Sequence, residues 1–185
     1  MRTLSNSGRR GKLDWTTIII ILVLVLVGIC VGGFFLIRSI YRGSVLSPFN
    51  STLPELVQLR PGGEKNPTNE QCSKGVMFID TSDNSFDHLY FDTPDDIKAK
   101  TPGEIKTVVF LTWVRHQVGT YGANKPAYRN SCKIDVVDRQ TKSLLQRNEF
   151  WGPTPPTTIS SRSSSGEGAR PNDDVIQFVR RLATK

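Results

Sequence analysis

The stretch Thr107–Tyr121, TVVFLTWVRHQVGTY, is the strongest β signal in the chain. From Val108 to Val114 it is apolar at both parities except at Thr112. A strand of that kind is covered on both faces and belongs near the centre of a sheet. His116 falls in its second half. Upstream, Val76–Asp80 (VMFID) is a short apolar run bounded by Gly75 and Thr81, which reads as another strand, and residues 86–91 read as a further one.

Downstream, residues 128–137 and 144–151 read as the arms of a hairpin, turned by DRQTK at 138–142, where Asp138 can accept a hydrogen bond from the backbone ahead of it. In the first arm Cys132, Ile134 and Val136 share one parity, and Lys133 and Asp135 take the other. That alternation marks an antiparallel strand with one wet face. The second arm is ambiguous, because Leu144 and Leu145, like Phe150 and Trp151, are adjacent apolar pairs. Residues 152–171 are rich in Pro, Ser and Gly and read as a long mobile loop.

A helix is expected over 173–183, with Asn172 as N-cap, Asp173 and Asp174 at its positive end, and Arg180 and Arg181 at its negative end. Val175, Ile176, Val179 and Leu182 form its apolar stripe. One helix over one antiparallel sheet predicts a two-layer α+β domain over 75–185. Residues 43–73, with four Pro and a Gly pair, read as a semi-extended tether holding at most one helical turn after Pro54.

Residues 15–37, WTTIIIILVLVLVGICVGGFFLI, are 23 residues without a formal charge. As a helix they would be roughly 35 Å long, enough to cross a hydrocarbon core of about 30 Å. The run is longer than a signal-peptide core and no small-x-small site follows, so it reads as an uncleaved signal anchor. Cys30 follows the bulky Ile29 and reads as a small lipid-facing residue, not a lipid-attachment site. Arg2, Arg9, Arg10 and Lys12 precede the span, whereas only Arg38 and Arg42 closely follow it. This asymmetry predicts a cell-membrane protein whose basic tail, 1–14, is cytoplasmic and whose C-terminal domain is extracytoplasmic. Asn50-Ser-Thr would then be a glycosylation sequon if the host has a eukaryotic secretory pathway.

The net charge of +7 and pI near 9.5 invite a nucleic-acid reading, but residues 1–40 carry +4 of that excess and 41–185 only +3. Most of it serves topology and lipid headgroups, so no nucleic-acid partner is expected. Between Asp80 and Asp96 stand six Asp and no Lys or Arg, whereas eight Lys and Arg lie between Lys106 and Arg147. These segments either form opposite-sign docking surfaces or neutralise each other across the fold.

The common catalytic and phosphate-binding motifs are absent, and no cofactor is implied. Asp80, Asp83, Asp87, His88 and Asp92 could offer oxygen and nitrogen ligands to a metal, yet Asp is equally suited to turns. A nucleophile pair of Cys132 with His116 is formally possible in neighbouring strands. Cys72 and Cys132 are the only cysteines beyond the span, and export favours oxidation, so a Cys72–Cys132 disulfide is expected. It would close a loop of about 60 residues, worth roughly 4 kcal/mol.

On one parity of the long strand stand Trp113, Arg115, Gln117 and Tyr121, followed by Tyr128 and Arg129. Aromatic and Arg side chains together suit a protein or glycan contact surface. The leading expectation is a membrane-anchored, non-catalytic binding module for a protein or envelope partner, with Trp113, Arg115, Tyr121 and Arg129 as its contact surface. A membrane-anchored hydrolase or metal enzyme acting through Asp residues and His116 is the alternative. A third reading is a structural subunit of a membrane complex, or a homo-oligomer, held by helix contacts through Gly28, Gly32 and Gly33.

Overall fold

The computed structural model describes residues 15, 19–20, 22–28, 43–62, 66–160 and 162–183. The chain divides into two compact units, Met1–Ser47 and Pro48–Lys185. In the first, residues 15, 19, 20, 22–28 and 43–46 are helical. The rest of the expected span 15–37, with Gly32 and Gly33, and the basic tail 1–14 lie outside the described residues. No helix among the described residues is long and apolar enough to cross a membrane.

The second unit is α+β. Its sheet comprises β1 (Val76–Asp80), β2 (Ser85–Phe86), β3 (Thr107–Tyr121), β4 (Lys125–Asp138), β5 (Leu144–Trp151) and β6 (Gly166–Glu167). The order is β2-β1-β3-β4-β5, with β6 beside β4. Its helices are α1 (Leu53–Val57), α2 (Leu89–Asp92) and α3 (Asn172–Ala183). The expected antiparallel sheet is mixed instead: β1 runs parallel to β3 and β6 parallel to β4, while the remaining pairings are antiparallel. The reason is the long connection from β1 to β3, which returns the chain to the start of β1 before β3 sets out in the same direction.

Within that connection, the strand expected at 86–91 ends at Phe86. Asp87 Oδ1 accepts the Leu89 N–H at 2.8 Å and turns the chain into α2. Gly75, just before β1, has φ +87°, and a Cβ there would stand 1.9 Å from the Glu104 carbonyl oxygen. Only glycine fits that approach.

In β3, residues 107–111 are buried, and the rest are half-buried or exposed. Its odd-numbered residues up to Gln117 face one side of the sheet, here the helix face, and its even-numbered residues up to His116 face the other. Facing pairs across antiparallel strands share a side, so Trp113, Cys132 and Phe150 lie together on the helix face. There α3 packs Phe178 against Phe150, ring centroids 5.3 Å apart, and buries Val175, Val179 and Ala183 at a spacing of four residues. In β4 the expected alternation is realised, with Cys132, Ile134 and Val136 buried, Lys133 exposed and Asp135 half-buried. Asp138 turns the hairpin by accepting the Thr141 N–H at 2.7 Å.

The segment expected as a spacer is partly core. Phe49 and Leu56 are buried, and the Phe49 ring meets Phe86 at 6.2 Å and Tyr90 at 5.9 Å, both edge-on. Phe86 pairs with Ile79, which pairs with Phe110, so residues 49–57 cover the face opposite α3 at the start of β3. Arg139 fixes this cover through both oxygens of Glu55, at 3.2–3.3 Å. Further on, the backbone N–H groups of Thr68 and Asn69 donate to Leu144 and Leu145.

Deleting a fully buried side chain from this cover should cost as much as deleting one from the sheet. Leu56→Ala is expected to destabilise the folded unit by about 2–5 kcal/mol, and Val57→Ala, half-buried, by much less. Denaturant midpoints of the two variants in the full chain check this, since a free tether would leave both unchanged.

Candidate functional site

The expected surface of Trp113, Arg115, Tyr121 and Arg129 is not a single surface. Trp113 and Arg115 point to the helix face. Arg129 pairs with His116 and points to the opposite one. The register shift between Gln117 and Gly119 transfers Tyr121 to the side of Arg129, because it pairs with Lys125, four residues before Arg129 in β4. A bulge of one residue was invisible in the alternation.

Each of the four is also engaged internally. Trp113 Nε1–H donates to Asp87 Oδ2 at 3.0 Å, and the Arg170 guanidinium lies 4.7 Å from the indole centre. Arg115 stacks on Tyr128 at 3.6 Å and reaches Glu167 at 3.5 Å. The Tyr121 hydroxyl donates to the Pro156 carbonyl, and Arg129 Nε–H donates to the Gly152 carbonyl at 2.7 Å. Glu167, Arg170, Pro156 and Gly152 all belong to the 152–171 segment. Expected as a mobile loop, that segment is tied to β4 by β6 and by the Gly152 and Gly168 N–H groups, which donate to Asn130 and Tyr128. A Cβ at Gly152 would meet the Ala169 carbonyl oxygen at 2.1 Å, so the two ends of the segment cross at a glycine.

On the helix face the structure assembles a polar cluster around the buried Asp87 carboxylate. It accepts from Trp113 Nε1, from the Leu89 N–H and from His88 Nδ1, the last at 3.1 Å. Burial opposes its charge, but these hydrogen bonds, His88 foremost, hold the carboxyl below its usual range. His88 is raised above its ordinary value, mainly by the hydrogen bond to Asp87. Burial and Arg170 oppose that rise, and the charges of Asp87 and Asp92 add to it. The other ring nitrogen, Nε2, lies 3.4 Å from Asn172 Nδ2 at the start of α3. The cluster therefore ties α2, β3 and α3 together.

The reactive alternatives find no assembly here. Cys132 faces α3 and His116 faces away from it, so neighbouring strands place the pair on opposite sides of the sheet. Burial pushes the Cys132 thiol up to about 12 and the Cys72 thiol to about 11, which leaves neither as a nucleophile at neutral pH. The expected disulfide is not formed: both cysteines are free and buried. Cys72 lies by Thr107 and Val179, while Cys132 faces Trp113, six residues farther along β3. Six residues of strand span about 20 Å, well beyond the reach of a disulfide. Asp80 and Asp83 accept the N–H groups of Ser82 and Ser85 and so act as turn formers. Among the described residues no group of three or more His, Cys, Asp or Glu is placed to hold a metal.

The opposite face holds the arrangement that sequence reasoning missed. Beyond residues 49–57 the sheet lies open, and Val118 and Trp151, 50% and 43% exposed, are the exposed large apolar residues described in the folded unit. The His116 ring lies against the Trp151 indole, centroids 4.5 Å apart and tilted by 33°, and the Arg129 guanidinium is 5.3 Å from the same ring. His116 Nε2 hydrogen-bonds Ser131 Oγ at 2.9 Å, and Ser131 Oγ–H donates to Glu149 Oε1 at 2.9 Å. Ser131 is fully buried, so this chain of groups orients side chains and offers no accessible hydroxyl. Next to Trp151 runs a groove of about 500 Å³ lined by Thr112, Lys133, Asp135, Arg147, Asn148 and Glu149. Asp135 and Arg147 form an ion pair within it. The parity shared by Arg147, Glu149 and Trp151 was the available signal, masked by the adjacent Phe150.

The Asp87–His88 pair and the two buried thiols each generate a prediction. Asp87 contributes stability that is full above its unfolded value near 3.8 and is lost as pH falls through its lowered folded value. His88 contributes stability that is full below 6.5 and is lost as pH rises through its raised folded value. Thermal melts of the full chain should therefore show stability falling as pH rises above 6.5, and Asp87→Asn should abolish that slope. In a second measurement, an alkylating reagent at pH 8 should leave Cys72 and Cys132 unmodified until denaturant is added. Rapid labelling of either thiol in the folded protein would contradict the burial described.

Comparison with protein-family models, with characterised proteins and with solved structures finds no match to this chain.

Proposed function

We propose that the chain is a single-pass membrane protein with a cytoplasmic N-terminus, whose folded unit stands outside the membrane and acts as a non-catalytic binding module. The membrane part of this reading rests on the 23 uncharged residues at 15–37 and on the excess of Arg and Lys before them. The described residues within the span are helical, and Gly28 has nothing within 4 Å of a Cβ position, which leaves room for a neighbouring helix.

The binding part is carried by one observation. Trp151 is exposed on an open sheet face and held in place by His116 and Arg129. A large aromatic side chain left in water costs stability, and one oriented before any partner arrives loses little entropy on binding. Hot spots of recognition surfaces are enriched in Trp and Arg for this reason. The proposed contact surface is accordingly the face of Arg129, with Trp151 and His116, rather than that of Trp113 and Arg115. An envelope or protein partner is the expected ligand class, and nucleic acid is not, because Lys133 and Arg147 in the groove are balanced by Asp135 and Glu149.

Protease added to intact cells should remove the folded unit and leave a small membrane stub. Protection of that unit, while a known exported reporter is digested, would reverse the topology. For the contact face, a photo-crosslinking residue at Lys133, exposed on the side of Trp151, should capture a partner in cells, and one at Gln177, exposed on α3, should not. Equal capture from both positions would remove the assignment of the face.

A further inference from the structure

We infer that the open half of the sheet takes a neutral, polyhydroxylated ligand, a glycan chain lying along Trp151 and the adjoining groove. This deepens the reading of that face as the contact surface and rests on it. Thr112 pairs with Lys133, which pairs with Glu149, and the next row of the sheet is Val114, Ser131 and Trp151. Two residues along a strand are about 7 Å, so successive rows are spaced on the scale of one sugar ring. The groove's volume of about 500 Å³ lies within the usual range for small-ligand sites, roughly 300–1,000 Å³.

Charge decides the ligand class. The groove offers Lys133 and Arg147 against Asp135 and Glu149, two cations and two anions, and Arg147 is already paired with Asp135. A balanced groove has no preference for a polyanion or a polycation, and Arg129, beside Trp151, already donates to the Gly152 carbonyl. It does present ammonium and amide donors beside carboxylate acceptors, and a sugar hydroxyl can donate to one and accept from the other. Glu149 adds direction, since Ser131 occupies Oε1 and His116 fixes Ser131. A lipid surface would need a broad apolar patch, whereas the exposed large apolar residues described in the folded unit are Val118 and Trp151 alone. A flat indole flanked by polar groups suits the apolar face and polar rim of a pyranose.

Full-length protein in micelles of a detergent without a sugar headgroup should be titrated calorimetrically with neutral hexasaccharides: β-1,4-linked glucose, β-1,4-linked N-acetylglucosamine and α-1,4-linked glucose. Saturable binding of at least one is expected. It should weaken roughly tenfold or more in Trp151→Ala and in the isosteric Glu149→Gln, and stay unchanged in Arg115→Ala on the other face. Thermal melts check that each variant is folded, and Glu149→Gln carries the test if Trp151→Ala is not. Absence of binding by the folded wild-type chain to all three hexasaccharides overturns the inference, as does binding indifferent to both substitutions. If saccharides fail while Lys133 still captures a partner, the glycan assignment falls and the contact face stands. If both fail, both readings fall.

Discussion

The length of β3 governs this fold. Its 15 residues extend about 50 Å, while its parallel neighbour β1 has five residues and ends opposite Leu111. The shared portion is buried on both faces, by α3 on one side and residues 49–57 on the other. Past Leu111 the strand continues with β4 alone as partner on one edge, and its side chains emerge into half-buried and exposed positions. The open face around Trp151 and the attachment of the 152–171 segment to β4 both follow from strands that outrun their neighbours.

Two polar arrangements stabilise opposite sides of that extension. On the helix face Asp87 accepts from Trp113, the Leu89 N–H and His88, which ties β3 and α2 to one carboxylate, and His88 in turn meets Asn172 of α3. A buried carboxylate is costly unless its oxygens are satisfied, and here both are. On the other face His116, Ser131 and Glu149 link three neighbouring strands through one buried hydroxyl. The first arrangement locks elements together. The second orients exposed groups, and for that reason the candidate site lies there and not at the Asp87 cluster.

Much of the folded unit was legible in its residues because local chemistry and global packing agree there. The central strand, the β4 alternation, the Asp138 turn and the C-terminal amphipathic helix each carry a period or a turn residue that only one local structure satisfies. Asn172, by contrast, expected as the helix N-cap, is its first helical residue, and its Oδ1 makes no capping bond. The site was less legible. Trp113, Arg115, Tyr121 and Arg129 were grouped by parity and nearness in sequence, but the bulge after Gln117 and the pairing of Arg129 with His116 divide them between two faces.

The residues by themselves determined β1, β3, β4 and β5, the C-terminal helix, the turn at 138–142 and the long uncharged stretch at 15–37, all properties of short-range periodicity and composition. Only the tertiary structure decided that β1 lies parallel to β3, that Phe49 and Leu56 are core rather than tether, and that Cys72 and Cys132 stand too far apart to pair. It also decided that Trp151, His116, Ser131 and Glu149 share an open face. Each of these depends on which strand lies beside which and in what register. Outside the β4–β5 hairpin, whose turn sets its register, these pairings join distant parts of the chain, and no local pattern identifies the partner.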